Sequence, residues 1–169
     1  RPRRKLDSRS GEFLPVFGTS VTDSIIIESA TQDSSDVTIS FSSTSSSNNY
    51  VVYLNGASHI TFRHLTIDNN GSSYARCLYL RNGASNNNFH NLELEGRNTS
   101  STSGNYWVVY AQGTSANNRY YNNWIRYGSA SIYESATSCG AGNLSGSIVR
   151  NNFMEDYYQY GYYGRYFDD

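Results

Sequence analysis

Few residues in this sequence are placed to do chemistry, and the carboxylates come first. Hydrolysis of a glycosidic bond needs two of them roughly 5–10 Å apart, and the candidate pairs are Asp68 with Glu95, Glu93 with Glu95, and Glu155 with Asp156. Glu93 and Glu95 are two residues apart, so on a strand they share a face; solvated outward acids would be spaced in the same way. Glu134, beside Tyr133, is a further acid–base candidate, and Asp168-Asp169 is a paired carboxylate at the chain end. The three histidines, His59, His64 and His90, lack partners at the spacing of a zinc site or a general-base relay, which favours structural roles. No Gly-x-Ser-x-Gly elbow, phosphate loop or dinucleotide fingerprint occurs.

The elements that must position these groups are visible as a repeat. Leu54-Asn55-Gly56-Ala57-Ser58 recurs as Arg81-Asn82-Gly83-Ala84-Ser85, as Ala111-Gln112-Gly113-Thr114-Ser115 and, more loosely, as Gly140-Ala141-Gly142-Asn143, with glycine spacings of 27, 30 and 29. The runs 58–67, 85–94, 116–125 and 145–154 align without gaps. One column then reads Phe62, Phe89, Tyr120, Val149 and another Ile67, Leu94, Ile125, Met154, both at core positions. Between them lie His64, Asn91, Asn122 and Asn151, where the chain must turn; asparagine tolerates the left-handed conformation and is expected to form a ladder. Strands are predicted before each glycine at 50–54, 76–80, 107–111, 130–134 and 160–164, with Val52, Leu78, Val109, Ile132 and Tyr162 inward. Residues 25–27 and 37–41 mark an earlier coil. Units of this size cannot bury an apolar face alone, and stacking at about 4.8 Å completes their hydrogen bonds. The prediction is an all-β parallel solenoid of about five coils, each of three short strands, with uncapped ends.

That register places Tyr53, Tyr79, Tyr110, Tyr133 and Tyr163 in one outward column. Two readings follow. The phenols form a platform for sugar rings, with Arg76 or Glu134 reaching sugar hydroxyls, or they form a ladder that stabilises the solenoid. The remainder of that face is expected to read Val51, Cys77, Val108 and Ser131, with little charge, which favours binding or structure over catalysis.

Composition sets the outer limits. Of 169 residues, 27 are Ser, 19 Asn and 11 Thr, only 37% are hydrophobic and 16% charged, which excludes a coiled coil or helical bundle. The 15% aromatic content exceeds that of a solvated tail, so the chain folds, as one unit. No apolar window is long enough to span a membrane. Net charge is −1, yet Arg1, Arg3, Arg4, Lys5 and Arg9 crowd the opening; residues 13–169 alone carry 8 arginines against 12 acids, or −4. Residues 1–12 read as an expression leader, and 13–169 as the solenoid segment. An acidic body repels phosphate, so no nucleic-acid partner is expected. Cys77 and Cys139 read as two free or buried thiols, with a disulfide as the alternative.

The phrases Asp33-Ser34-Ser35-Asp36-Val37-Thr38-Ile39, Tyr50-Val51-Val52-Tyr53-Leu54-Asn55-Gly56-Ala57, His59-Ile60-Thr61-Phe62 and Ala84-Ser85-Asn86-Asn87-Asn88-Phe89 resemble the right-handed parallel β-helix repeats of large bacterial secreted and surface proteins. The resemblance covers about residues 21–167 and implies the pectate-lyase-like fold, an extracellular or cell-surface setting and a polysaccharide or surface-glycan partner. It implies either a structural or carbohydrate-binding repeat module or a polysaccharide lyase, glycoside hydrolase or carbohydrate esterase. A lyase would need calcium on a carboxylate cluster and a basic residue; Asp68, Glu93 and Glu95 with Arg63 or Arg97 are the candidates, without any metal-loop spacing. No other cofactor or metal is expected. The Gly-His-Gly and Arg-Ile-Lys companions that galacturonan hydrolases place around their aspartates are missing. Unpaired strand edges at uncapped ends predict end-to-end homo-oligomers.

Overall fold

The computed structural model describes residues 4–7, 11–16, 19–136 and 144–165, the first of these segments as backbone only. Seventeen short strands account for almost all regular structure. In chain order they are β1 (Arg4–Asp7), β2 (Gly11–Phe13), β3 (Ile25–Glu28), β4 (Val37–Ser40), β5 (Val52–Asn55), β6 (Ile60–Arg63), β7 (Thr66–Asp68), β8 (Leu78–Arg81), β9 (Asn88–His90), β10 (Glu93–Glu95), β11 (Trp107–Gln112), β12 (Arg119–Tyr121), β13 (Trp124–Arg126), β14 (Ala130–Ser135), β15 (Ile148–Arg150), β16 (Phe153–Glu155) and β17 (Tyr160–Arg165). They form three parallel sheets, ordered β1-β4-β7-β10-β13-β16 (sheet A), β2-β5-β8-β11-β14-β17 (sheet B) and β3-β6-β9-β12-β15 (sheet C). Each strand pairs with its counterpart one turn away, so the chain is a β-solenoid. It makes about four turns, slightly fewer than the five coils expected. The basic opening stretch contributes β1, which pairs with β4.

The sequence columns become physical columns. Phe62, Phe89 and Tyr120 are stacked inside at 5.9 and 5.3 Å between ring centres, and Ile67, Leu94 and Ile125 line the core from sheet A. Val52, Leu78, Val109 and Ile132 fill it from sheet B as expected, whereas Tyr162, in register with Ile132, is 44% exposed on the last described rung.

The turns explain the asparagines. His64, Asn91, Asn122 and Asn151 have φ of 53–54°, the left-handed region, and reverse the chain between sheets C and A in two residues. A second such column, His59, Asn86 and Asn117 (φ 56–59°), stands where the chain enters sheet C; His59 thus occupies a turn and not a strand. Both columns stack through backbone bonds, as from Asn91 N to Tyr121 O at 3.1 Å. The side-chain ladder runs one position further on. Asn118 Nδ2 donates to Ala84 O and Ser115 O while its Oδ1 accepts from Asn87 N and Nδ2, and Asn123 does the same toward Phe89 O and Asn152. The left-handed backbone aims the turn residue itself outward, and its neighbour's amide satisfies the buried peptide groups of the corner.

One expected surface column is interior. Val51, Cys77, Val108 and Ser131 are fully buried at the corner between sheets A and B. The arriving backbone covers them: Cys77 Sγ lies 3.1 Å from Glu95 O, and a Cβ on Gly128 (φ 78°) would sit 2.7 Å from Val108 Cγ2. Cys77 is a free thiol whose pKa burial pushes well up, so it is an inert core group; Cys139 lies outside the described residues.

Candidate functional site: the aromatic face of sheet B

Sheet B turns three side-chain columns outward. The central one is the predicted phenol column: Tyr53, Tyr79, Tyr110, Tyr133 and Tyr163 are successive register partners. Tyr53, Tyr79 and Tyr110 stack at 4.9 and 5.3 Å with interplanar angles of 15° and 6°. Tyr133 and Tyr163 stack at 4.5 Å and 15°, but Tyr110 and Tyr133 meet edge-on at 68°.

The break has a local cause. Three residues before each tyrosine runs a second column, Tyr50, Arg76, Trp107, Ala130 and Tyr160. Ala130 leaves room above Tyr133, and the Trp107 indole fills it, stacking on Tyr133 at 3.5 Å and 5° while turning its edge to Tyr110. Gly104 permits this, since a Cβ there would lie 2.9 Å from the indole. Arg76 bridges the first stack: its guanidinium is 4.8 Å from the Tyr110 ring centre and 5.3 Å from that of Tyr79, and Nε and Nη2 both donate to Gly104 O. Burial lowers the Arg76 pKa while the neighbouring phenols act in the opposite direction. The third column is Asn55, Arg81, Gln112, Ser135 and Arg165, whose Gln112 Oε1 accepts from Tyr79 Oη at 3.0 Å.

The rings turn their faces to one another, leaving edges and hydroxyls at the surface. A ligand on this face therefore meets phenol edges, guanidinium groups and amides, and the Tyr53–Tyr79–Tyr110 faces are already occupied. Burial raises the pKa of Tyr53, Tyr110 and Tyr133, so all three remain neutral donors at physiological pH.

The candidate acids are not brought here. Glu134 points inward, in register with Ala111, and is fully buried. Its Oε2 accepts from Tyr162 Oη at 3.1 Å, and burial pushes its pKa up to about 7. Asp68, Glu93 and Glu95 lie on the outer face of sheet A, where Asp68 is bonded by Asn70, Glu93 by Ser34 and Thr66, and Glu95 by Arg126. Asp68 and Glu95 are register partners on adjacent rungs, and Glu93 and Glu95 share a face as their spacing predicts. Among the described residues no three His, Cys, Asp or Glu side chains converge as a metal site. Arg63 is on sheet C, paired with Glu28. Asp168 and Asp169 lie outside the described residues. Only Glu12, in register with Tyr53, is a described carboxylate within the outward columns of sheet B.

Trp107, Gln112, Tyr50 and Tyr160 join the face although sequence reasoning passed over them. For Tyr50, Trp107 and Tyr160 the signal was a large side chain three residues before four of the five tyrosines; Gln112 stands two residues after Tyr110. A comparison with known proteins finds no matching family model, curated protein or solved structure, so function is argued from this geometry.

Proposed function

We propose that this chain is an extracellular β-solenoid module of the pectate-lyase-like type that binds polysaccharide or surface glycan along the outer face of sheet B. The observation that carries the reading is the aromatic strip itself: ring edges, Arg76, Arg81 and Gln112 lie together over successive rungs spaced by about 4.8 Å, an array of apolar edge and hydrogen-bond donor that suits a chain of sugars. Binding is favoured over turnover because the described strand carboxylates stand on another sheet or inside the core, Glu12 excepted. End-to-end pairing of two copies through unpaired strand edges belongs to the same reading.

The test is retention on a panel of immobilised polysaccharides, with product release followed in parallel with and without Ca²⁺. Tyr79→Ala with Tyr110→Ala should abolish retention while the circular dichroism stays that of a β-protein. Undiminished retention by that variant removes the aromatic face from the reading; product release from any polymer replaces binding with catalysis and directs attention to Asp68 and Glu95. A strictly monomeric light-scattering profile at high concentration counts against end-to-end pairing.

A further inference from the structure

Charge is sorted between the faces of the solenoid. From β7 to β16 sheet A carries Asp68, Glu93, Glu95 and Glu155 on its outer side, with Arg126 as the one cation among these described strand residues. The outer side of sheet C carries Arg63, Arg119 and Arg150 with Glu28 as the only described strand carboxylate, in a chain whose net charge is −1. Arg63 is spent on Glu28, but Arg119 and Arg150 are exposed and have no ion-pair partner among the described residues. His90 stands one rung before Arg119, between Arg63 and Tyr121 in its own column, and its pKa is lowered by burial first and then by the positive charge of Arg63 and His64.

This face is also concave. One hollow of about 490 Å³ is bordered by Arg63, His90, Tyr121 and Arg150; another of about 200 Å³ is bordered by His59, Asn117 and Arg119, and the two meet at Asn88. Together they make a trough parallel to the solenoid axis, about 20 Å long over its five rungs. Its walls are the two left-handed turn columns, which place Asn86, Asn117, Asn122 and Asn151 along its rims. Guanidinium groups bind carboxylate or sulfate through paired donors, and amides donate to and accept from sugar hydroxyls.

We infer that the sheet C trough is a second binding site, for a linear glycan bearing carboxylate or sulfate groups, held by Arg119 and Arg150. The inference does not rest on the aromatic face, which lies on another sheet. A single-stranded nucleic acid fits the trough poorly: Tyr121 is the only Phe, Tyr or Trp among the described residues that line it, so successive bases find no run of stacking platforms.

The probes are alginate for carboxylate, dextran sulfate for sulfate, and neutral dextran, each immobilised and measured at low and raised salt. Wild-type protein should be retained by at least one anionic polymer and not through neutral dextran, and whichever polymer holds it identifies the anion. Arg119→Glu with Arg150→Glu should weaken that retention by about ten- to a hundredfold and flatten its salt dependence. Tyr79→Ala with Tyr110→Ala should leave the anion-dependent part intact. Because both arginines are exposed, Arg119→Gln with Arg150→Gln provides a gentler variant with the same expected direction should the glutamates disturb folding. Equal retention by the wild type and either arginine variant overturns the inference, as does tighter binding to single-stranded DNA than to either glycan. Loss of anionic retention in the tyrosine variant but not in the arginine variants would overturn it while sustaining the sheet B proposal.

Discussion

A buried carboxyl near its own titration point makes folding depend on pH, and Glu134→Gln measures by how much. Glu134 is fully enclosed; its Oε2 accepts from Tyr162, and hydrogen bonding from the Tyr162, Ser147 and Tyr120 hydroxyls acts to lower its pKa against the burial that raises it. Desolvation therefore outweighs the hydrogen bonds and moves the group from an ordinary value near 4.5 to about 7. The fold favours the protonated acid. Stability is complete below pH 4.5, declines as pH rises from 4.5 to 7 and is reduced by a constant amount above that range. At about 1.4 kcal/mol per pH unit the reduction amounts to about 3 kcal/mol. Glutamine keeps the shape and has no proton to lose. Urea denaturation at pH 4.5 and pH 8 should show the two proteins nearly equal at the lower value and Glu134→Gln more stable by about 3 kcal/mol at the higher. Other groups titrate identically in both proteins and cancel in the difference. If wild type and variant lose or gain the same stability between the two pH values, the buried-acid argument is wrong.

Three further substitutions probe the architecture. Asn118→Ala removes two donors and a shared acceptor from a sealed corner and should cost about 2–4 kcal/mol in denaturant unfolding, against about 1 kcal/mol for the exposed Asn122→Ala, which loses only asparagine's tolerance of the left-handed backbone. Phe89→Ala takes the middle ring from the interior stack of Phe62 and Tyr120 and should cost about 3–5 kcal/mol by the same measurement. Gly128→Ala demands a left-handed residue whose Cβ would sit 2.5 Å from Tyr106 O; a lowered melting temperature is expected, and an unchanged one would show that this corner gives way easily.

In a parallel solenoid each turn is a translation of the one before, so equivalent residues contact one another directly. That is why the fold was legible from spacing alone. Aligning the glycines and asparagines assigned the Phe62, Ile67 and Val52 columns to the core and the Tyr53 column to the surface, and the pairing registers agree residue by residue. The left-handed turns were legible too, because asparagine at a fixed place in every repeat has a backbone reason to be there.

Other features depend on relations between columns, which a repeat pattern does not contain. The column of Val51, Cys77, Val108 and Ser131 is hidden because the backbone arriving from sheet A crosses it, and alternation along one strand cannot foresee a neighbouring corner. Glu134 stands two residues from inward Ile132, so strand parity puts it inside while its charge argues for the surface; the buried Tyr120 hydroxyl and the Tyr162 hydroxyl that donates to it make the interior tolerable. Trp107 leans onto Tyr133 because Ala130 leaves a gap one rung away. The separation of acids on sheet A from arginines on sheet C is likewise invisible in a chain that interleaves them. Translation along the axis was written in the sequence; contact around it was decided by the corners, where three sheets of unequal strand length close on a single core.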